Sequence, residues 1–188
     1  MSDTAPAGYN IGPATEADVD GARTVMLDTF YREFGIGYRP MWHRDVVDID
    51  GHYLRPPRHA LFVARHGGEV VATAGVRAEG PRCPPHPAWL GRRYPNGTTA
   101  QLFRVYVSPE HRRRGLARLL VARACDFVVR TPGYTALYLH TDDRTPGAAG
   151  FWRSVAKEVH DARDGDTTRP QSIHFEIPIP VAAAPAPA

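Results

Sequence analysis

Arg112, Arg113 and Arg114 stand directly before Gly115, and small Ala117 follows two residues later. Guanidinium groups donate in pairs to phosphate oxygens. A glycine removes the side chain where a ligand must approach the backbone. From Leu116 the apolar residues Leu116, Leu119, Leu120, Ala124, Phe127 and Val128 fall three or four apart, the spacing of one buried helical face. The first turn of such a helix carries unpaired N–H groups and the positive end of its dipole. Arginines, glycine and helix start together predict a cradle for a diphosphate. No Gly-x-x-x-x-Gly-Lys-Ser/Thr and no Gly-x-Gly-x-x-Gly is present, so the two common nucleotide loops do not account for it.

The cradle needs a rigid element on each side. Upstream, Leu102, Phe103, Val105, Tyr106 and Val107 form a run rich in β-branched and aromatic residues that reads as a strand. Ser108-Pro109 stops it, since proline cannot donate to a ladder. Around this unit the chain reads as a short strand at Tyr9 to Gly12 and a helix opened by Thr15-x-x-Asp18 that runs to about Phe34. A short second helix is expected around Arg44 to Asp50. Strands at Ala60 to Ala64 and Val70 to Val76 are joined through Gly67-Gly68. A long proline- and glycine-rich loop spans Gly80 to Gly97. A strand at Ala136 to His140, a helix at Ala148 to about Ala156, and strands at Glu158 to Ala162 and Ser172 to Ile179 complete the order. This is a mixed α/β sheet in one domain over residues 9–179, with residues 1–8 and 180–188 expected to be disordered tails.

Composition narrows the function classes. The 188 residues are 43% hydrophobic and 23% charged, enough for one packed core. A formal charge of only +3 gives no basic surface for nucleic acid, and Lys157 is the only lysine. Cys83 and Cys125 make no disulfide framework, and Cys83-x-x-His86 lacks two further ligands at metal spacing, so no metal is expected. There is no signal peptide or membrane-length apolar run, and a soluble cytoplasmic protein that meets no membrane is the expectation.

Val107-Ser108-Pro109 followed by Arg112-x-x-Gly115-x-Ala117 resembles the GNAT superfamily of acyl-CoA-dependent N-acyltransferases. A second local match is Leu139-His140-Thr141 followed by Ala148-x-x-Phe151-Trp152. The resemblance covers the order of elements from about Tyr9 to Ile179. It implies a mostly antiparallel central sheet with one splayed parallel strand pair, flanked by helices. It also implies acetyl-CoA as co-substrate and a primary amine as acceptor, most simply a small molecule, with a protein lysine or N-terminus as the alternative. By resemblance, the coenzyme is held by Val105, Val107, Arg112, Arg113, Arg114, Gly115, Leu116, Ala117, Phe151 and Trp152. A homodimer is left open.

Acetyl transfer to nitrogen needs a neutral amine, and an amine of pKa about 10.4 is only roughly 0.1% neutral near pH 7.4. The family resemblance places an oxyanion-binding amide at Val107, with Tyr106 beside it. Many relatives carry a base glutamate where this chain has Gln101, which orients water and takes no proton. A proton-donating tyrosine is matched by Trp152, whose indole does not ionise usefully. Both departures leave open a catalytically impaired acyl-CoA-binding module. His140, at the end of a strand, has the intrinsic pKa of a base. Tyr38, His43, Asp45 and Tyr53 crowd one segment and are the expected contacts for a cationic, partly apolar amine.

Overall fold

The computed structural model describes residues 4–166 and 168–180. Seven strands, β1 (Tyr9–Pro13), β2 (Ala60–His66), β3 (Glu69–Arg77), β4 (Thr99–Val107), β5 (Ala136–Asp142), β6 (Lys157–Asp161) and β7 (Ser172–Ile177), make one sheet in the order β1-β2-β3-β4-β5-β7-β6. Only β4 and β5 are parallel, and every other neighbouring pair is antiparallel. The helices are α1 (Val19–Asp28), α2 (Arg44–Val47), α3 (Ala88–Arg93), α4 (Leu116–Arg130) and α5 (Ala148–Arg153). No helix among the described residues is long and apolar enough to cross a membrane. Residues 1–3 and 181–188, expected as tails, lie outside the described residues, whereas the Tyr9 amide donates to the Pro6 carbonyl at 3.1 Å and closes a turn ahead of β1.

Alternation along the strands sorts side chains onto two faces. On one, Ala100 and Leu102 of β4, Leu137 and Leu139 of β5, and Ile173 and Phe175 of β7 pack against Leu116, Leu120, Ala124 and Val128 of α4 and Trp152 of α5. On the other, Ala22, Met26 and Phe30 join Val46, Ile49 and Tyr53 over Leu61 and Val63. A third cluster seats Leu90 and Tyr94 on Tyr138, beside the parallel pair.

Two departures from the sequence expectation have local causes. The first helix is α-helical only to Asp28 and widens to a π-turn over Thr29–Glu33. Thr29 Oγ1 donates to the Val25 carbonyl at 2.8 Å there, a side-chain bond that competes with the regular ladder. The Gly80 to Gly97 stretch is not wholly loop, because Ala88–Arg93 forms α3 with Leu90 fully buried. That helix is too short and too closely flanked by prolines and glycines to show a period in the sequence.

The expected helix start holds. The Thr15 amide and hydroxyl donate to Asp18 Oδ2 at 2.7 and 2.8 Å, and Arg65 Nε and Nη2 each donate to the same carboxylate at 2.6 Å. The Arg65 bonds, with those from Thr15, hold the Asp18 carboxyl well below its ordinary pKa against the opposing effect of burial. Asp18→Asn is therefore expected to cost about 1–3 kcal/mol near neutral pH. A depressed folded-state pKa stabilises above the unfolded carboxylate value and loses that contribution as pH falls through the folded one. Chemical denaturation of parent and variant should thus show a gap that closes below about pH 4.

Candidate active site

The parallel pairing of β4 with β5 covers only Thr99↔Ala136, Ala100↔Leu137 and Gln101↔Tyr138. Beyond Gln101 the strands part, and the β5-facing edge of β4 from Phe103 to Val107 is left without a strand partner. Within that stretch β4 bulges. Gly75 pairs with Phe103 and Thr73 with Tyr106, so three steps on β4 oppose two on β3. Arg104 sits in the bulge with φ 52°, a strained value for a side chain of its size, and Thr73 Oγ1 donates to its carbonyl at 2.7 Å.

The open edge ends at the arginine loop. Arg113 has φ 59° and Gly115 φ 78°, so the backbone alternates in sign into the first turn of α4, the pattern of an anion-binding nest. A Cβ on Gly115 would meet nothing within 4 Å, which leaves the space before the helix clear. Arg112, Arg113 and Arg114 are exposed, Ala117 is half-buried, and Leu116 anchors the helix start in the core. Arg112 is already engaged, with Nε donating to the Val107 carbonyl at 3.0 Å and Nη2 to Glu33 at 2.8 Å. Val105 and Val107 pack half-buried on the α4 side of the sheet. Trp152 is buried against the same core, edge-to-face with half-buried Phe151 at 4.9 Å.

On the opposite side of the cleft, three of the expected amine contacts, His43, Asp45 and Tyr53, are buried. Asp45 is 2% exposed, and its carboxylate accepts from Arg104 Nη2 at 2.7 Å, Arg104 Nε at 2.9 Å and the Tyr53 hydroxyl at 2.6 Å. Burial alone would raise its pKa, yet Arg104, Tyr53 and Arg77 together bring it below the ordinary value. Tyr53 is buried as the hydrogen-bond partner of Asp45. His43 is also buried, stacked on Phe30 at 3.9 Å, and its Nδ1 accepts from the Arg39 amide at 3.0 Å. Burial, then the Arg104 charge, lowers its pKa to about 4. Of the four expected residues, only Tyr38 is left half-buried at the surface, 6.0 Å ring to ring from His43. Tyr106 packs edge-on to Phe30 and Phe34 at 6.0 and 5.8 Å.

Gln101 and His140 do meet. Gln101 is buried with Oε1 unpartnered, and its Nε2 lies 3.5 Å from His140 Nδ1, longer than a good hydrogen bond. His140 itself is exposed. The protein packed about its ring, then His86, His174 and Arg104, lowers its pKa, while Asp142 opposes them. His86 and His174 were not foreseen beside it. Their rings stand 4.5 and 5.8 Å from that of His140 and 4.8 Å from each other. Arg104 was missed as well, although the apolar step from Leu102 to Val105 breaks the two-residue period and marks the bulge.

The acetyltransferase (GNAT) family model matches residues 26–156, more than half of the chain. N-acetyltransferase 8 of Rattus norvegicus is 35% identical over 113 residues, covering 60% of this chain and 46% of its own length. N-acetylaspartate synthetase of Homo sapiens is 28% identical over 99 residues, 53% of this chain and 28% of that protein. The chain thus spans less than half the length of these curated relatives. Among solved structures, an acetyltransferase from Salmonella typhimurium with its cofactor acetyl-CoA superposes with a TM-score of 0.70 at 17% identity, covering 95% of this chain and 98% of that one. Arabidopsis thaliana NAA60 in complex with a bisubstrate analogue gives 0.62 at 18% identity, covering 89% and 96%. At these identities the structural likeness is one of fold.

Proposed function

Because the chain belongs to the acetyltransferase (GNAT) family, we propose that it transfers an acetyl group from acetyl-CoA to a primary amine, most simply that of a small molecule. One observation carries this reading. The edge of β4 left open beyond Gln101 runs straight into a positive-φ glycine loop at the start of α4. An extended thiol arm and a diphosphate need those two features in that order. Acetyl-CoA supplies the activated acetyl thioester. The Gly115 loop, with Arg113 and Arg114, would hold its diphosphate, and the backbone of Val105 and Val107 its arm. Phe151 and Trp152 of α5 would back the cleft. Gln101 and His140 lie where the strands separate and would accept the N–H bonds of an amine.

The test is acetyl-CoA titration by calorimetry, followed by thiol release across an amine panel. Coenzyme binding without thiol release from any amine would favour a binding module, the reading that Gln101 and Trp152 motivate. Two substitutions locate the chemistry. His140→Ala should lower turnover about tenfold or more at pH 7 and above, where the lowered pKa leaves the imidazole neutral and able to accept. Trp152→Phe should change turnover only modestly, through packing. A His140→Ala profile superimposable on the parent's would remove His140 from the mechanism.

A further inference from the structure

An imidazole that accepts a proton must keep one ring nitrogen aimed at the donor. The usual device is a hydrogen bond from its other nitrogen to a carboxylate or a carbonyl. His140 has no such bond. Among the described residues, the one polar contact of its ring is the 3.5 Å approach of Gln101 Nε2 to Nδ1, beyond good hydrogen-bond length. Asp142 lies two residues along the same face of β5 and acts on the charge of the ring. Its carboxylate, however, accepts from Arg144 Nε at 3.0 Å and from the Gln171 amide at 3.2 Å. No strand walls the ring on the β4 side either, because Gln101↔Tyr138 is the last pair between β4 and β5.

What fixes the ring is packing. His86 stands 4.5 Å from it, centroid to centroid, and meets His174 edge-to-face at 4.8 Å and 90°. His174 lies opposite His140 in the β5–β7 register, 5.8 Å ring to ring. It is fully buried and shares a 2.6 Å hydrogen bond between Nδ1 and the Tyr138 hydroxyl, so it gives the other two rings a firm base. His86 is placed just as firmly by the Gly80 to Gly97 segment that carries it. The Gly80 amide donates to Asn96 Oδ1 at 2.8 Å. A Cβ on Gly80 would fall 1.8 Å from the Tyr94 carbonyl oxygen, so the two ends of the segment touch. Between them Leu90 of α3 is fully buried four residues beyond His86. Tyr94 packs on Tyr138 at 4.9 Å, and its hydroxyl donates to Glu176 at 2.5 Å. Leu90 and Tyr94 thereby dock the segment on β5 and β7, with the His86 ring against His140.

We propose that His86 is a positioning residue for the transfer, its ring holding the His140 imidazole in the orientation that accepts the amine proton. The inference rests on the acetyl-transfer reading above and adds a residue to it. In the transfer the nitrogen lone pair forms the C–N bond as the C–S bond breaks. The proton passes from nitrogen to the His140 imidazole, and from there to the departing thiolate or to water. His86 takes no proton and acts only through the face of its ring. Such a ring contact is weak, but a misdirected base is costly in rate, so the effect should fall on kcat.

The experiment measures thiol release by the full chain with the fastest of alaninamide, isobutylamine and phenethylamine. It compares the parent with His86→Ala, His86→Phe, His140→Ala and the double variant His86→Ala/His140→Ala. His86→Ala should lower kcat about three- to tenfold while acetyl-CoA affinity, read by calorimetry, stays at the parent's value. His86→Phe keeps an aromatic face without a ring nitrogen and should hold kcat within about twofold of the parent. In the His140→Ala background, His86→Ala should cost nothing further, because the residue it acts through is gone. A merely structural His86 would lower kcat by the same factor in both backgrounds. Equal losses in the two backgrounds, a His86→Phe as slow as His86→Ala, or parental kcat in His86→Ala or His140→Ala would each overturn the proposal while leaving acetyl transfer standing. Absence of thiol release with any of the three amines, coenzyme being bound, would overturn both.

Discussion

Gly115→Val is expected to weaken acetyl-CoA binding by at least about 100-fold, roughly 2.8 kcal/mol, in a protein that still folds. The backbone at Gly115 has φ 78° at the position that caps α4, where an L side chain is strained. That strain costs the fold about 1–2 kcal/mol, which a domain of ordinary stability survives. The ligand meets a larger penalty. Nothing in the protein lies within 4 Å of a Cβ at this position, so the added methyl groups point into the space the diphosphate would occupy. The arginines should matter less one by one. Arg113 is exposed, and Arg113→Ala should cost only a few-fold. Arg112 must exchange Glu33 for the phosphate, so Arg112→Ala removes a bond already partly spent and should cost about tenfold. Calorimetric titration of the three variants orders them directly. If Gly115→Val binds like the parent, the loop is not the cradle.

The same loop shows what a sequence can disclose. Its glycine, its arginines and the period-3.6 face of α4 are adjacent in the chain, and short-range order is enough to place them. The strand before it was legible for the same reason, although β4 begins at Thr99, three residues ahead of the apolar run. Long-range partners were not legible. Asp45 and Arg104 are 59 residues apart, and nothing near Asp45 distinguishes a carboxylate facing solvent from one locked to a distant guanidinium. The histidine cluster has the same character. Each ring comes from a different segment, and only sheet order brings β5, β7 and β6 side by side. The bulge at Arg104 is an intermediate case, since the broken alternation from Leu102 to Val105 was visible but its geometric meaning depended on the register with β3.

Asp45→Ala separates the two roles available to that carboxylate, and a loss of about 3–5 kcal/mol in stability is expected, which lowers Tm by roughly 10 °C or more in a chain of this size. The substitution leaves Arg104 with its side chain only 12% exposed, its φ at 52° and its principal charge partner gone. A buried guanidinium without a counter-ion is among the costliest defects a core can carry. Tyr53 loses the acceptor for its hydroxyl in the same step, so Tyr53→Phe alone should cost only about 1–2 kcal/mol. The direction with pH follows from the lowered pKa of Asp45. The pair stabilises above the unfolded carboxylate value near 3.9 and loses that contribution as pH falls below it. A substrate-binding Asp45 would give a different pattern, with Tm unchanged and KM for the amine raised. The double variant Asp45→Ala/Arg104→Met sharpens the distinction. Removing both charges should leave the protein more stable than Asp45→Ala alone, because the cost of the single variant lies in the stranded cation. Additive losses in that cycle would show that Asp45 and Arg104 do not act as a pair.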